Sequence, residues 1–358
     1  MPPPNTGLSP AALAAGAVPK SARDPRIDLF RGLALVMIFI NHVPGNPYEA
    51  LTIRNLGFAD AAEAFFLMSG IAAGLAYTPR FIARDRVRHG LWRSIAPLWK
   101  RAWSLYVVQL LLSAVALGIF AAAFQITTEA AFLTKINMRP AYSVLLVCAP
   151  AAIMLGLRWP RLLLVLSLVL WLLTGVFRLN LPNYPNPGGW FFNPLAWQAI
   201  FVCGLLVGLS QRQGYRFFPN SQALFWLSAA VLLGVFAWRY VPGLGRFLNL
   251  QMHHLREAGV PFNITSHDKT YLSAPRFVHI LAVGYFLSQL QTVTRLSAHA
   301  VASPVRLIGR HGLLVFASGT VLALICQVAM MARPDAQWMP WVLPVVGTAA
   351  LYGIAWIA

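Results

Sequence analysis

Ten apolar segments, at 25–43, 58–78, 102–124, 141–157, 161–177, 194–210, 221–239, 275–290, 305–332 and 339–358, set the strongest limit on what this chain of 358 residues can fold into. Most are near the roughly 17 to 25 residues that a helix needs to cross the hydrocarbon of a bilayer. Only 11% of the residues are charged and the mean hydropathy is +0.63. A soluble domain carries roughly 25% charged residues to cover its surface. The pattern predicts an all-α, polytopic integral membrane protein with about ten transmembrane helices, its surface covered by the lipid bilayer. Residues 1–22, rich in Pro and Ala, read as a flexible cytoplasmic tail, because no basic stretch there leads into a strongly apolar one. Residues 23–358 read as a single transmembrane domain.

The formal net charge of +18 does not indicate a nucleic-acid partner, since the basic residues crowd into short loops between apolar runs. With the amino terminus inside, Lys20, Arg23, Arg26, Arg31, the run Arg80, Arg84, Arg86, Arg88, Arg93, Lys100, Arg101, and Arg158, Arg161, Arg212, Arg216, Arg295, Arg306 and Arg310 all fall on the cytoplasmic side. That is eighteen of the 28 basic residues, and both termini are expected in the cytoplasm. Cys148, Cys203 and Cys326 each lie inside an apolar run, which implies neither a disulfide framework nor metal spacing. His253, His254 and His267 lack a carboxylate pair or cysteine beside them, so no metal is expected. Long outer connections at 44–57, 125–140, 178–193 and 240–274 are where function is expected to sit. No fixed-period repeat or two-half pattern is visible, and nothing sets an oligomeric state.

The first apolar segment carries ionisable groups at informative spacing. Asp24 and Pro25 make a helix start, and Pro44, Gly45 and Pro47 a stop. Asp28, Arg31, Leu35, Ile38 and His42 fall on one stripe, with Arg31 and His42 about 16 Å apart along the axis. An arginine near the cytoplasmic end and an imidazole deep in the bilayer describe a path that holds an anion at one end and moves a proton at the other. Arg31 reads equally as a headgroup anchor. In the second span, Glu63 is a candidate carboxylate partner that orients His42, or a structural acid paired with an arginine. Gly70 and Gly74 form a GxxxG pair suited to close helix packing.

Four stretches are characteristic together: RDPRIDLFRGLALVMIFINHVPGN with RNLGFADAAEAFFLMSG, between Arg23 and Tyr77; LNLPNYPNPGGWFFNPLAWQ at 179–198; DKTYLSAPRFVHILAVGY at 268–285; and GRHGLLVF at 309–316. In order, they resemble the OpgC proteins, membrane succinyltransferases of osmoregulated periplasmic glucans related to the wider acyltransferase-3 group. That group is marked by an arginine and a histidine ten residues apart, here Arg31 and His42, followed by FFLMSG, here Phe65 to Gly70. One departure is Gly312, where a serine is expected.

The resemblance implies a multi-pass protein of the bacterial inner membrane that transfers a succinyl group from cytoplasmic succinyl-CoA to glucose hydroxyls of a periplasmic glucan. His42 and Glu63 are then the catalytic candidates. Arg31, Asp28, Arg310 and His311 are candidates for holding the donor, which visits as a substrate, with no permanently bound cofactor. Trp190, Asn193 and Trp197, with Phe191, Phe192 and Gln198, offer flat faces and amides for pyranose rings. Lys269, Arg276 and His279 are candidates for the succinyl carboxylate or a sugar hydroxyl, or else form an interfacial salt-bridge cluster. Two rival readings stay open: O-acetylation of another envelope polysaccharide, and proton-coupled transport of an organic anion through Arg31 and His42.

Overall fold

A computed structural model describes residues 24–124, 141–183 and 188–358. Lys20, Arg23 and the tail at 1–22 lie outside the described residues, as do the outer segment 125–140 and the side chains of Arg84, Arg86 and Arg88. The first helix, α1 (Pro25–Ile40), starts where Asp24 accepts the Arg26 backbone N–H, and Pro25 at its first position has no N–H to leave unpaired. It ends at Ile40 because Asn46 turns the chain back, its amide donating to the carbonyls of Ile40 and Val43. The next helix, α2 (Ala61–Phe81), opens on a capping box in which Asp60 accepts from the Ala62 N–H and Glu63 accepts from the Asp60 N–H.

Then follow α3 (Ala83–Phe124), kinked at Gly90 where φ is 79°, α4 (Ala141–Arg158), α5 (Pro160–Val176) and α6 (Pro194–Arg212). The chain continues through α7 (Gln222–Tyr240), α8 (Leu244–Glu257), α9 (Ala274–Gln289), α10 (Gln291–Ala298), α11 (Ser303–Arg310), α12 (Gly312–Ala332) and α13 (Met339–Ile357). Among the described residues the only β feature is an isolated bridge between Pro182 and Gly189.

The protein is therefore all-α and multi-pass. Seven helices are long and apolar enough to cross a membrane, eight if α9 and α10, bent by 77° at Leu290, count as one span. The ten segments expected from the sequence include α1 and α5, whose 16 and 17 residues rise only about 25 Å, short of a hydrocarbon core of roughly 30 Å. Three boundaries differ for physical reasons. The third helix begins well before 102, because its basic first turns are helical despite their charge. The segment 305–332 is two helices, broken at His311. The outer connection 240–274 contains the amphipathic α8, with Phe247 and Leu255 exposed and Met252 buried.

Two apolar cores organise the bundle. The larger surrounds α6, 78% of whose apolar stretch is buried against 11% for α7. It is built on α2, since Gly70 and Gly74 face the α6 backbone at Phe201 and Leu205, while Gly204 and Gly208 face the α2 backbone at Leu67 and Ile71. Residue numbers rise together along this contact, so the two helices run parallel. The smaller core joins Leu35, Phe39 and Val43 to Val315, Ala323, Cys326, Leu351 and Ala355 of α12 and α13. Phe65 packs on both cores, stacking on Phe316 at 6.1 Å on one side and meeting Tyr142 on the other. The seam between the cores is where α1 faces α2, α3 and α4.

Candidate functional site

A cavity of about 160 Å³ lies in that seam, at the end of the bundle where the basic residues gather. Its polar lining is Arg31 from α1, Ser69 and Tyr77 from α2, Arg101 from α3 and Tyr142 from α4, and its apolar lining is Ala72, Ala73, Ala76 and Leu146. Tyr142 shares a hydrogen bond with Ser69 and lies in the field of both arginines. The FFLMSG stretch explains the shape. Phe65 and Phe66 pack on opposite sides, Leu67 and Gly70 receive α6, and Ser69 alone turns its hydroxyl to the cavity. Two guanidiniums and two phenols around small alanines make a pocket for a negatively charged or carbonyl-bearing group.

Three other residues expected to hold the donor stand behind Arg31. Asp28, 2% exposed, faces Arg310 at 3.4 Å. Gly309 lets α11 press against the carbonyl of Asp28, where any side chain would overlap backbone. His311 marks the break before α12, and Gly312 opens that helix beside Arg31, its Cβ position 2.8 Å from the guanidinium Nη2. The substitution of glycine for the expected serine thus leaves Arg31 room at the pocket edge.

His42 lies just beyond the other end of α1, exposed, two residues past Ile40. Its Nδ1 is 2.6 Å from the carbonyl oxygen of Ile38. A carbonyl only accepts, so Nδ1 carries the hydrogen and Nε2 is the basic nitrogen. The backbone carbonyl of His42 accepts from the amide of Gln327 in α12 at 2.7 Å. The surrounding turn is held by Thr52, which donates to the side-chain oxygen of Asn41 and to the carbonyl of Glu49.

Glu63 is not brought to His42. Its carboxylate, 0% exposed, accepts from Arg276 at 2.6 Å and from the Asp60 N–H at 2.9 Å. Arg276 also reaches Asp60 at 3.5 Å, and Lys269 makes an ion pair with Asp60. Burial opposes charge on Asp60, but the Lys269 ammonium and the hydrogen bonds from Lys269, Glu63 and the Ala62 N–H together outweigh it and hold the carboxyl well below the usual carboxylate range. His279 accepts the Ala59 N–H through Nδ1, 3.1 Å away, and its ring fills the space over Gly57. Lys269, Arg276 and His279 therefore pin the start of α9 to the start of α2. Lys269 is the most exposed of the charged four and lies 5.5 Å from the Phe192 ring centre and 5.7 Å from that of Phe191.

The aromatic loop before α6 is closed largely on itself. Asn193, fully buried, caps α6 and donates to the Leu179 carbonyl. Trp197, also fully buried, donates its indole N–H to the Lys269 carbonyl, and Trp190 donates its own to Pro182. Gln198 pairs with Ser167 of α5. Asn193 and Trp197 have no surface left for a sugar in this structure, whereas Phe191 is 49% exposed. The outer histidines point to separate partners: His253 to Glu257 at 3.3 Å, and His267 to Asn249 at 3.1 Å. Burial, with the Arg276 charge, holds His267 below its ordinary value.

Arg101, Tyr77 and Tyr142 were not singled out in the sequence. Arg101 was counted only as a cytoplasmic cation, and nothing local to Tyr142 announces the pocket. Comparison with known families finds that the family described as OpgC protein matches residues 23–143 and 139–358, the chain from Arg23 to its last residue. No curated protein and no solved structure matches.

Proposed function

The chain belongs to the OpgC family, and from that premise we propose that it is a membrane-embedded acyltransferase moving a succinyl group from cytoplasmic succinyl-CoA to glucose hydroxyls of osmoregulated periplasmic glucans. The observation that carries this reading is the placement of the two-arginine cavity at the basic end of α1 and the imidazole of His42 at its other end. Coenzyme A phosphates favour the basic end, where Arg31, Arg101 and Arg310 stand. The glucan approaches the opposite end.

In the proposed step the glucose hydroxyl gives its proton to His42 Nε2 while its oxygen attacks the thioester carbonyl. The tetrahedral oxyanion collapses by breaking the carbon–sulfur bond, and the leaving thiolate takes the proton back from the imidazolium. The products are a succinyl ester and free coenzyme A. The Ile38 carbonyl supports the tautomer this step needs, the task first assigned to Glu63. Glu63, Arg276 and His279 then brace the rim, and Lys269 is the cation of that cluster open to a carboxylate or a hydroxyl. Trp197 and Asn193 hold the loop from beneath, with Trp190 and Phe191 toward the acceptor. In this proposal both termini lie in the cytoplasm and the membrane is the bacterial inner membrane.

Purified protein incubated with labelled succinyl-CoA or acetyl-CoA and a β-glucan is expected to give succinylated glucan. An H42A variant that accumulates normally is expected to give none. Acetylated product would move the donor assignment, no product with either donor would favour anion transport, and undiminished transfer by H42A would remove the base.

A further inference from the structure

The two ends of the α1 stripe are both framed by one other helix. Arg31 lies beside Gly312 at the start of α12, and His42 accepts a hydrogen bond from Gln327 fifteen residues along the same helix, so α1 and α12 run parallel. The 21 residues of α12 hold no charged side chain, and Gln327 is their only amide. Its remaining hydroxyls are accommodated locally where seen, as when Thr320 bonds back to the Phe316 carbonyl. An amide in so apolar a helix carries a desolvation cost, and its partner here is the backbone carbonyl of a single residue.

That residue is His42, whose ring is already held from the other side by the Ile38 carbonyl. From this geometry we infer that Gln327 is a positioning residue for His42, fixing the backbone of the base while Ile38 fixes its ring. This inference rests on the assignment of His42 as base. The backbone N–H groups of Asn41, His42 and Val43 bond back to Met37, Phe39 and Ile40, and Asn46 and Thr52 hold the flanking residues, but the carbonyl of His42 itself is held from a neighbouring helix, by Gln327. Hydrogen bonds between membrane helices contribute little to stability, whereas a small displacement of a catalytic group is costly in rate. Loss of the contact therefore belongs in turnover.

The test is Q327M, which keeps length and volume and removes the donor. Purified Q327M is expected to show a kcat lowered about ten-fold, with KM for succinyl-CoA and for glucan within about two-fold of wild type and an unchanged thermal midpoint. Should Q327M accumulate poorly, Q327E, which keeps size and polarity but loses the amide donor, reports the same contact and is expected to lose turnover likewise. Wild-type kcat in either variant, or a loss that appears in KM instead, overturns the positioning role. An inactive H42A beside a fully active Q327M would remove Gln327 alone, while a fully active H42A would remove the base and this role with it.

Discussion

Asp60 shows how a single side chain near the membrane surface is set by its neighbours. It is mostly buried, which disfavours its charge, yet Lys269 and Arg276 close around it and its own side chain caps α2. Its carboxyl is held well below the usual carboxylate range. A depressed carboxyl contributes stability that is complete above its unfolded pKa and is lost as the pH falls from there through the folded value. Asn caps a helix about as well as Asp, so D60N removes the charge and leaves the cap. D60N is expected to lower stability by about 1 to 3 kcal/mol at pH 7. Thermal unfolding in detergent should show that gap closing as the pH falls below about 4. A gap that stays constant from pH 7 to pH 3 would mean that the ion network is not its source. The sequence left two partners open for Glu63, His42 or an arginine, and in this network an arginine holds it. Depth along the second span placed it level with His42, but its cation is Arg276, 213 residues away, and nothing in the local spacing encodes that pairing.

The contact that holds the bundle together is the parallel pair α2 and α6, where four glycines bring backbone against backbone. A methyl group at Gly204 would overlap the Leu67 carbonyl, which has no rotamer to give way, so the two helices must move apart. A methyl group at Gly234 of α7 meets nothing within 4 Å. G204A is therefore expected to cost about 1 to 3 kcal/mol, and G234A to be neutral or slightly stabilising, in thermal unfolding of the purified protein. Equal behaviour of the two would rule out close packing as the reason for the α2 and α6 glycines. Half of this contact was legible, because Gly70 and Gly74 carry the spacing of a packing motif. The α6 half carries the same GxxxG spacing in Gly204 and Gly208 and was not read, although the sequence marks it equally. Helix positions were legible wherever apolar length dominates. They were missed where polar residues are helical at the surface, as in α8, α10 and the basic start of α3. Of the site, Arg31 was legible because a charge inside an apolar run must find an interior. Arg101 and Tyr142 reach the same cavity only through the fold.

At the scale of the whole molecule, the two polar regions lie at opposite ends and carry different chemistry. The basic end holds the Arg31 and Arg101 cavity together with Arg310, while the other holds His42 and the Asp60, Glu63, Lys269 and Arg276 network. On the proposed function, a multiply charged donor and a polar glucan cannot enter the hydrocarbon, so they would meet along the interior of the protein. From Arg31 to its last residue, Ile40, α1 rises about 14 Å, roughly half the hydrocarbon thickness, and His42 lies just beyond. This geometry demands sidedness. In vesicles whose cytoplasmic face points outward, with glucan trapped in the lumen, succinyl-CoA added outside is expected to label the trapped glucan. Glucan added outside with the donor should stay unlabelled. R31A and R101A, which strip the cavity of one cation each, are expected to raise the donor KM about ten-fold or more and to leave the glucan KM within about two-fold. Labelling only when donor and acceptor share one face would show that both enter by the same mouth, and a basic cavity opposite the histidine would then need another purpose.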